Sequence, residues 1–139
     1  MPIIHDDKIY DESKIPLFDS SVQAGFPSPA NDYIDRKLDL NELLIEHPTA
    51  TFFVRVEGQS MTGAGIHHGD ILIVDRALEA KDNKIVIAII DGELSVKRIK
   101  IKGKKIALYP ENPDYEPIEI DDAMDFMVWG VVKSVIHEV

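Results

Sequence analysis

The chain has 139 residues, 25 acidic and 15 basic, for a formal net charge of -10, with 45% hydrophobic residues and no cysteine. That length accommodates one ordinary soluble domain, and an acidic balance opposes the phosphate contacts on which nucleic-acid affinity rests, which argues against autonomous DNA or RNA binding. Without cysteine there is no disulfide, no thiolate metal site and no cysteine nucleophile.

Residues Met1 to Asp32 scatter their apolar side chains without helical or strand period and include Pro16, Pro27, Pro29 and Gly25. The segment reads as an irregular, solvated arm, and residues 1 to 24 alone carry a charge of -3. Its first ten residues have neither the basic nor the apolar region of a secretory signal, and no apolar run approaches the ~18 residues that span a bilayer, so a cytoplasmic protein is expected. Asp39 to Glu46 sets Leu40, Leu43 and Leu44 at helical spacing behind an Asp39 N-cap, with Pro48 ending the run, which predicts one short amphipathic helix. Beyond it, β-branched and aromatic residues predict strands over 51–56, 71–74, 85–90, 93–101, 105–109 and 126–136. Asp91-Gly92 is suited to a type I′ hairpin, and Gly103-Lys104 joins the next pair. Consecutive hairpins imply a mostly β, mostly antiparallel fold.

Chemistry concentrates between two of these strands. Gly58-Gln59-Ser60-Met61 follows one, and His67-His68-Gly69-Asp70 leads into the next. A serine beside glycine at a strand exit is sterically open, and successive amides there point into one cavity, as acyl transfer requires. Most Gly-x-Ser turns are only turns, and the motif by itself decides nothing. A base is also needed. His5, His47, His67, His68 and His137 carry no supporting signature, and His67 and His68 read as solvated loop residues. Neither cysteine ligands nor an HExxH spacing supports zinc, so no metal or cofactor is expected.

Lys97 is the other candidate base. A lysine is almost wholly protonated at neutral pH unless burial penalises its ammonium form. Alternation places Ser95 and Lys97 on one side of their strand and Leu94 and Val96 on the other, without saying which is buried. The competing reading makes Lys97 the start of a solvated basic run with Arg98, Lys100, Lys102, Lys104 and Lys105. Aromatic stacking residues do not interleave with that run. Asp121, Asp122 and Asp125 read as an exposed acidic turn.

The surroundings of Ser60 and Lys97 resemble the self-cleaving Ser/Lys peptidases of the LexA and UmuD type. The likeness spans Pro16-Leu17-Phe18, the stretch 22–30 (VQAGFPSPA), the stretch 39–45 (DLNELLI), Gly58-Gln59-Ser60-Met61, the stretch 69–75 (GDILIVD) and Val96-Lys97. It implies a peptidase core of antiparallel strands over 33–139 that dimerises, preceded by an extended arm over 1–32 that contains the cleavage site. It also implies Ser60 as nucleophile, Lys97 as neutral general base, the Ala24-Gly25 bond as substrate, and the backbone amides of Gln59 and Ser60 as oxyanion donors. UmuD proteins often carry Cys before the scissile bond, whereas Ala24 matches the LexA type; both are small. In the family a RecA filament on single-stranded DNA favours the cleavable state, and the processed homodimer joins UmuC as an error-prone translesion polymerase in the SOS response to DNA damage.

Three other readings are weaker. A LexA-type repressor needs a DNA-reading domain ahead of Ala24, for which the arm is too short and acidic. A signal-peptidase relative needs a membrane anchor. The third treats Ser60 and Lys97 as structural and leaves a β-rich interaction subunit.

Overall fold

The computed structural model describes residues 2–5, 8–11, 14–18, 21–27 and 34–139. The chain forms two units, 1–46 and 47–139. In the first, β1 (Pro2–His5) pairs antiparallel with β2 (Lys8–Asp11), and β3 (Lys14–Phe18) pairs antiparallel with β4 (Ile34–Asp39). These ladders correct the expectation of an arm without regular structure. Two-stranded pairing is carried by the backbone and needs no alternating apolar face, so periodicity did not reveal it. Pro16 fits because a ladder of two strands has only edges, where a missing N–H is tolerated. Helix α1 (Leu40–Leu44) begins as the sequence predicts, with the Asp39 carboxylate accepting the Asn41 N–H at 2.9 Å.

The second unit is built on one antiparallel sheet. Its strands are β5 (Thr51–Arg55), β6 (Ile71–Asp75), β7 (Ile85–Ile90), β8 (Glu93–Lys102), β9 (Lys105–Tyr109), β10 (Ile118–Glu119) and β11 (Phe126–Ile136). They lie in the order β10-β9-β8-β7-β11-β6-β5. β7 and β8 meet in a two-residue hairpin, Ile90 opposite Glu93, and Asp91 and Gly92 both take positive φ (49° and 84°), as type I′ demands. β10 escapes a composition-based reading because it is two residues long.

Alternation along the central strands divides the apolar residues between the two faces. Leu72, Val74 and Ile87 join Val56, Met61 and Ile66 in one buried cluster, while Val86, Ala88, Ile99, Leu108 and Val131 form the other. The first cluster includes Met61, so the residue after Ser60 is anchored in the core and fixes where the serine turn leaves the sheet.

Candidate active site

Ser60 sits on the loop between β5 and β6. Both ends of that loop are tied: Val56 N–H donates to Asp70 C=O at 2.9 Å, and Gly69 N–H donates to Val56 C=O at 2.8 Å. The serine turn is further held by a segment far along the chain. Glu111 N–H donates to Ser60 C=O (2.8 Å), Gly63 N–H donates to Glu111 C=O (2.7 Å), and the Asn112 side chain donates to Gln59 C=O (2.8 Å). The Glu111 carboxylate in turn pairs with Arg98, the neighbour of Lys97 on β8. One segment thus references the loop that carries Ser60 to the strand that carries Lys97.

The approach at Gly63 is close enough to require glycine. A Cβ there would stand 2.5 Å from the Glu111 carbonyl oxygen. Gly63→Ala is expected to cost about 1–3 kcal/mol by overpacking. A urea titration checks this; a midpoint equal to that of the parent protein would mean the Glu111 contact relaxes freely.

Lys97 reaches from β8 into the same place. Its Nζ lies 3.1 Å from Ser60 Oγ, 2.8 Å from Ser95 Oγ and 3.1 Å from Val96 O. Ser95 and Lys97 therefore share a side of the strand, as alternation predicts. The amine is half-buried, and among the described residues no carboxylate pairs with it. Burial lowers its pKa below the ordinary 10.5, because desolvation penalises the ammonium form and no anion offsets that cost. Ser60 and Lys97 border an open cleft of about 320 Å³, with Val54, Leu72, Ile87 and Val96 supplying apolar walls. Within the described residues, the Gln59 and Ser60 N–H groups donate to no protein acceptor. Ala24 and Gly25 belong to the first unit and lie in an exposed bend over 24–26; Gly25 does not take positive φ.

His68 is exposed and His67 partly so, as the solvated-loop reading expects, but both are also tied to their neighbours. His68 Nδ1 accepts the Gly58 N–H at 3.0 Å and so braces the serine turn. The buried Asp70 carboxylate bonds His137 Nδ1 at 2.6 Å through Oδ1 and accepts the His67 N–H at 2.7 Å through Oδ2. Burial by itself would raise the Asp70 pKa, but these bonds and the two nearby imidazoles outweigh it and hold the carboxyl below its ordinary 3.8. The basic run is only partly solvated as well. Arg98 pairs with Glu111 and Lys100 donates to Asn83 Oδ1, whereas Lys102, Lys104 and Lys105 are exposed. Asp121, Asp122 and Asp125 are exposed, as expected.

A serine hydroxyl hydrogen-bonded to a desolvated lysine at the mouth of a cleft, with unpaired amides beside it, has the parts that acyl transfer by an activated serine requires. Residues 16–133 match the Peptidase S24-like family, and the chain belongs to it. Protein SamA of Salmonella typhimurium is 46% identical over 127 residues, covering 91% of this chain and 88% of its own. Protein ImpA of Escherichia coli is 46% identical over 124 residues, covering 88% and 83%. LexA repressor 1 of Pseudomonas syringae pv. tomato is 42% identical over 128 residues, covering 91% of this chain and 62% of the repressor. Among the described residues no helix is long and apolar enough to cross a membrane.

Glu111, Asn112, Gly63, Ser95 and His68 were not singled out from the sequence as parts of the site. Asn112 and Gln59 are 53 residues apart, and only the fold brings them together. Ser95 was accessible in principle, since strand period two puts it beside Lys97.

Proposed function

We propose that this chain is a self-cleaving serine endopeptidase that acts in SOS mutagenesis. Ser60 is the nucleophile, Lys97 the general base, and Ala24-Gly25 the bond cut. The observation that carries this reading is the 3.1 Å approach of Lys97 Nζ to Ser60 Oγ, with the lysine pKa lowered by burial. As Oγ bonds to the Ala24 carbonyl carbon, neutral Nζ takes the hydroxyl proton, and the Gln59 and Ser60 N–H groups stabilise the oxyanion. Collapse of the tetrahedral intermediate breaks the bond to Gly25, whose nitrogen receives the proton from Lys97. Water, deprotonated by the same amine, then releases the Ala24 carboxylate and restores the serine.

The substrate is the arm over 1–32, and the core over 33–139 serves as both peptidase and dimerisation body. A tethered substrate has a high effective concentration, so cleavage must be held in check by conformation and triggered by a partner. A RecA filament on single-stranded DNA is that trigger, and the processed homodimer becomes a cytoplasmic subunit of an error-prone translesion polymerase with a UmuC-type protein. The net charge of -10 suits a subunit that reaches DNA through these partners. Incubation with activated RecA is expected to accelerate formation of a product whose N-terminal sequence begins at Gly25. A rate unchanged by RecA would remove the trigger from the account.

A further inference from the structure

His67, Asp70 and His137 stand outside the serine cleft, and their geometry leaves one buried imidazole nitrogen beside a buried carboxylate without a hydrogen bond. The His67 Nδ1 atom is buried and has no hydrogen-bond partner, yet it lies 3.8 Å from Asp70 Oδ2. At 3.8 Å an imidazolium can attract the carboxylate by charge, but the nitrogen is too far to share a hydrogen bond with it. His137 Nδ1 lies 2.6 Å from the other oxygen of the same carboxylate, and the two imidazole rings are 4.8 Å apart between centroids. The three ligand atoms lie within 4.8 Å of one another.

We propose that His67 Nδ1, Asp70 and His137 Nδ1 bind one divalent ion of the zinc class, with water completing its shell. Imidazole and carboxylate suit such an ion, at about 2.0–2.2 Å per ligand, which places neighbouring tetrahedral ligand atoms roughly 3.3 Å apart. To reach that spacing the 3.8 Å His67–Asp70 separation must close and the 2.6 Å His137–Asp70 separation must open, each by a few tenths of an ångström on either side, while the two imidazole nitrogens, within 4.8 Å, draw together. On binding, His137 Nδ1 gives up the proton it shares with Asp70, to its own Nε2 if the ring is neutral or to water if it is an imidazolium, the orphaned His67 nitrogen gains a partner, and the buried carboxylate is neutralised by a cation. Asp70 N–H donates to His67 C=O at 3.0 Å and Asp70 C=O receives Val56 N–H, so the ion would staple the closing end of the serine loop to the residue just after β11. Local sequence concealed the site because His137 lies 67 residues from Asp70.

The test is calorimetric titration of chelator-treated full-length protein with Zn2+, repeated with Co2+ to read coordination from its visible absorption. One ion per chain is expected, with the Co2+ spectrum of a low-coordinate nitrogen and oxygen site. His67→Ala and His137→Ala, each truncating a part-exposed ring, are expected to weaken binding about tenfold or more. Circular dichroism of both variants establishes that they are folded. The proposal is overturned if the parent protein shows no saturable binding up to about 100 µM metal, or if both folded variants bind as tightly as the parent.

Discussion

On the proposed mechanism, Ser60→Ala protein is expected to fold normally and to lose self-cleavage by about 10⁴-fold or more, since that mechanism forms its acyl intermediate on Ser60 Oγ. The loss in stability is small, about 1 kcal/mol, because one hydrogen bond to Lys97 is removed and the serine is only partly buried. Lys97→Ala and Lys97→Met are expected to abolish cleavage to a similar extent. Lys97→Arg fares no better, as a guanidinium stays charged and accepts no proton. The double variant Ser60→Ala/Lys97→Ala should be no slower than either single one, because nucleophile and base act as a unit. Lys97→Met separates catalysis from structure: it removes the amine and keeps an apolar stem of similar length in the cleft. Retention of cleavage in Lys97→Met would show that the lysine only packs.

The second large effect is on pH. With neutral Lys97 as the base, the cleavage rate is expected to rise about tenfold per pH unit and to level off once the amine is deprotonated, at a midpoint below 10.5. The same burial gives stability a definite sign. Below the lowered pKa the folded protein carries the full desolvation cost of an ammonium in the cleft. Between that pKa and 10.5 the unfolded chain binds a proton that the folded one does not, so stability rises with pH across the window. Lys97→Met should remove that rise from a series of denaturant titrations. Cleavage that survives Lys97→Met would instead direct attention to His68, which touches the serine turn at Gly58.

The sheet of the second unit was legible because its strands are local objects. β7, β9 and β11 have the bounds that composition predicts, and Asp91-Gly92 dictates its own turn. The N-terminal ladders were not legible, since backbone pairing over four or five residues leaves no periodic trace. At the site, pattern raised Ser60 and Lys97 as candidates, and the resemblance, not spacing, joined them. What spacing cannot hold is the long-range support. The Glu111 clamp, the Ser95 contact and the His137–Asp70 pair each depend on which strands become neighbours, and single residues carry no mark of that.

The central claim is that the serine turn cuts its own arm after Ala24. Intact-mass measurement after alkaline incubation of parent and Ser60→Ala protein tests it most directly. The account predicts loss of residues 1–24 from the parent, leaving a core that starts at Gly25, and an unchanged full-length mass for Ser60→Ala. Cleavage at another bond, or the same cleavage continuing in the Ser60→Ala protein, would contradict it.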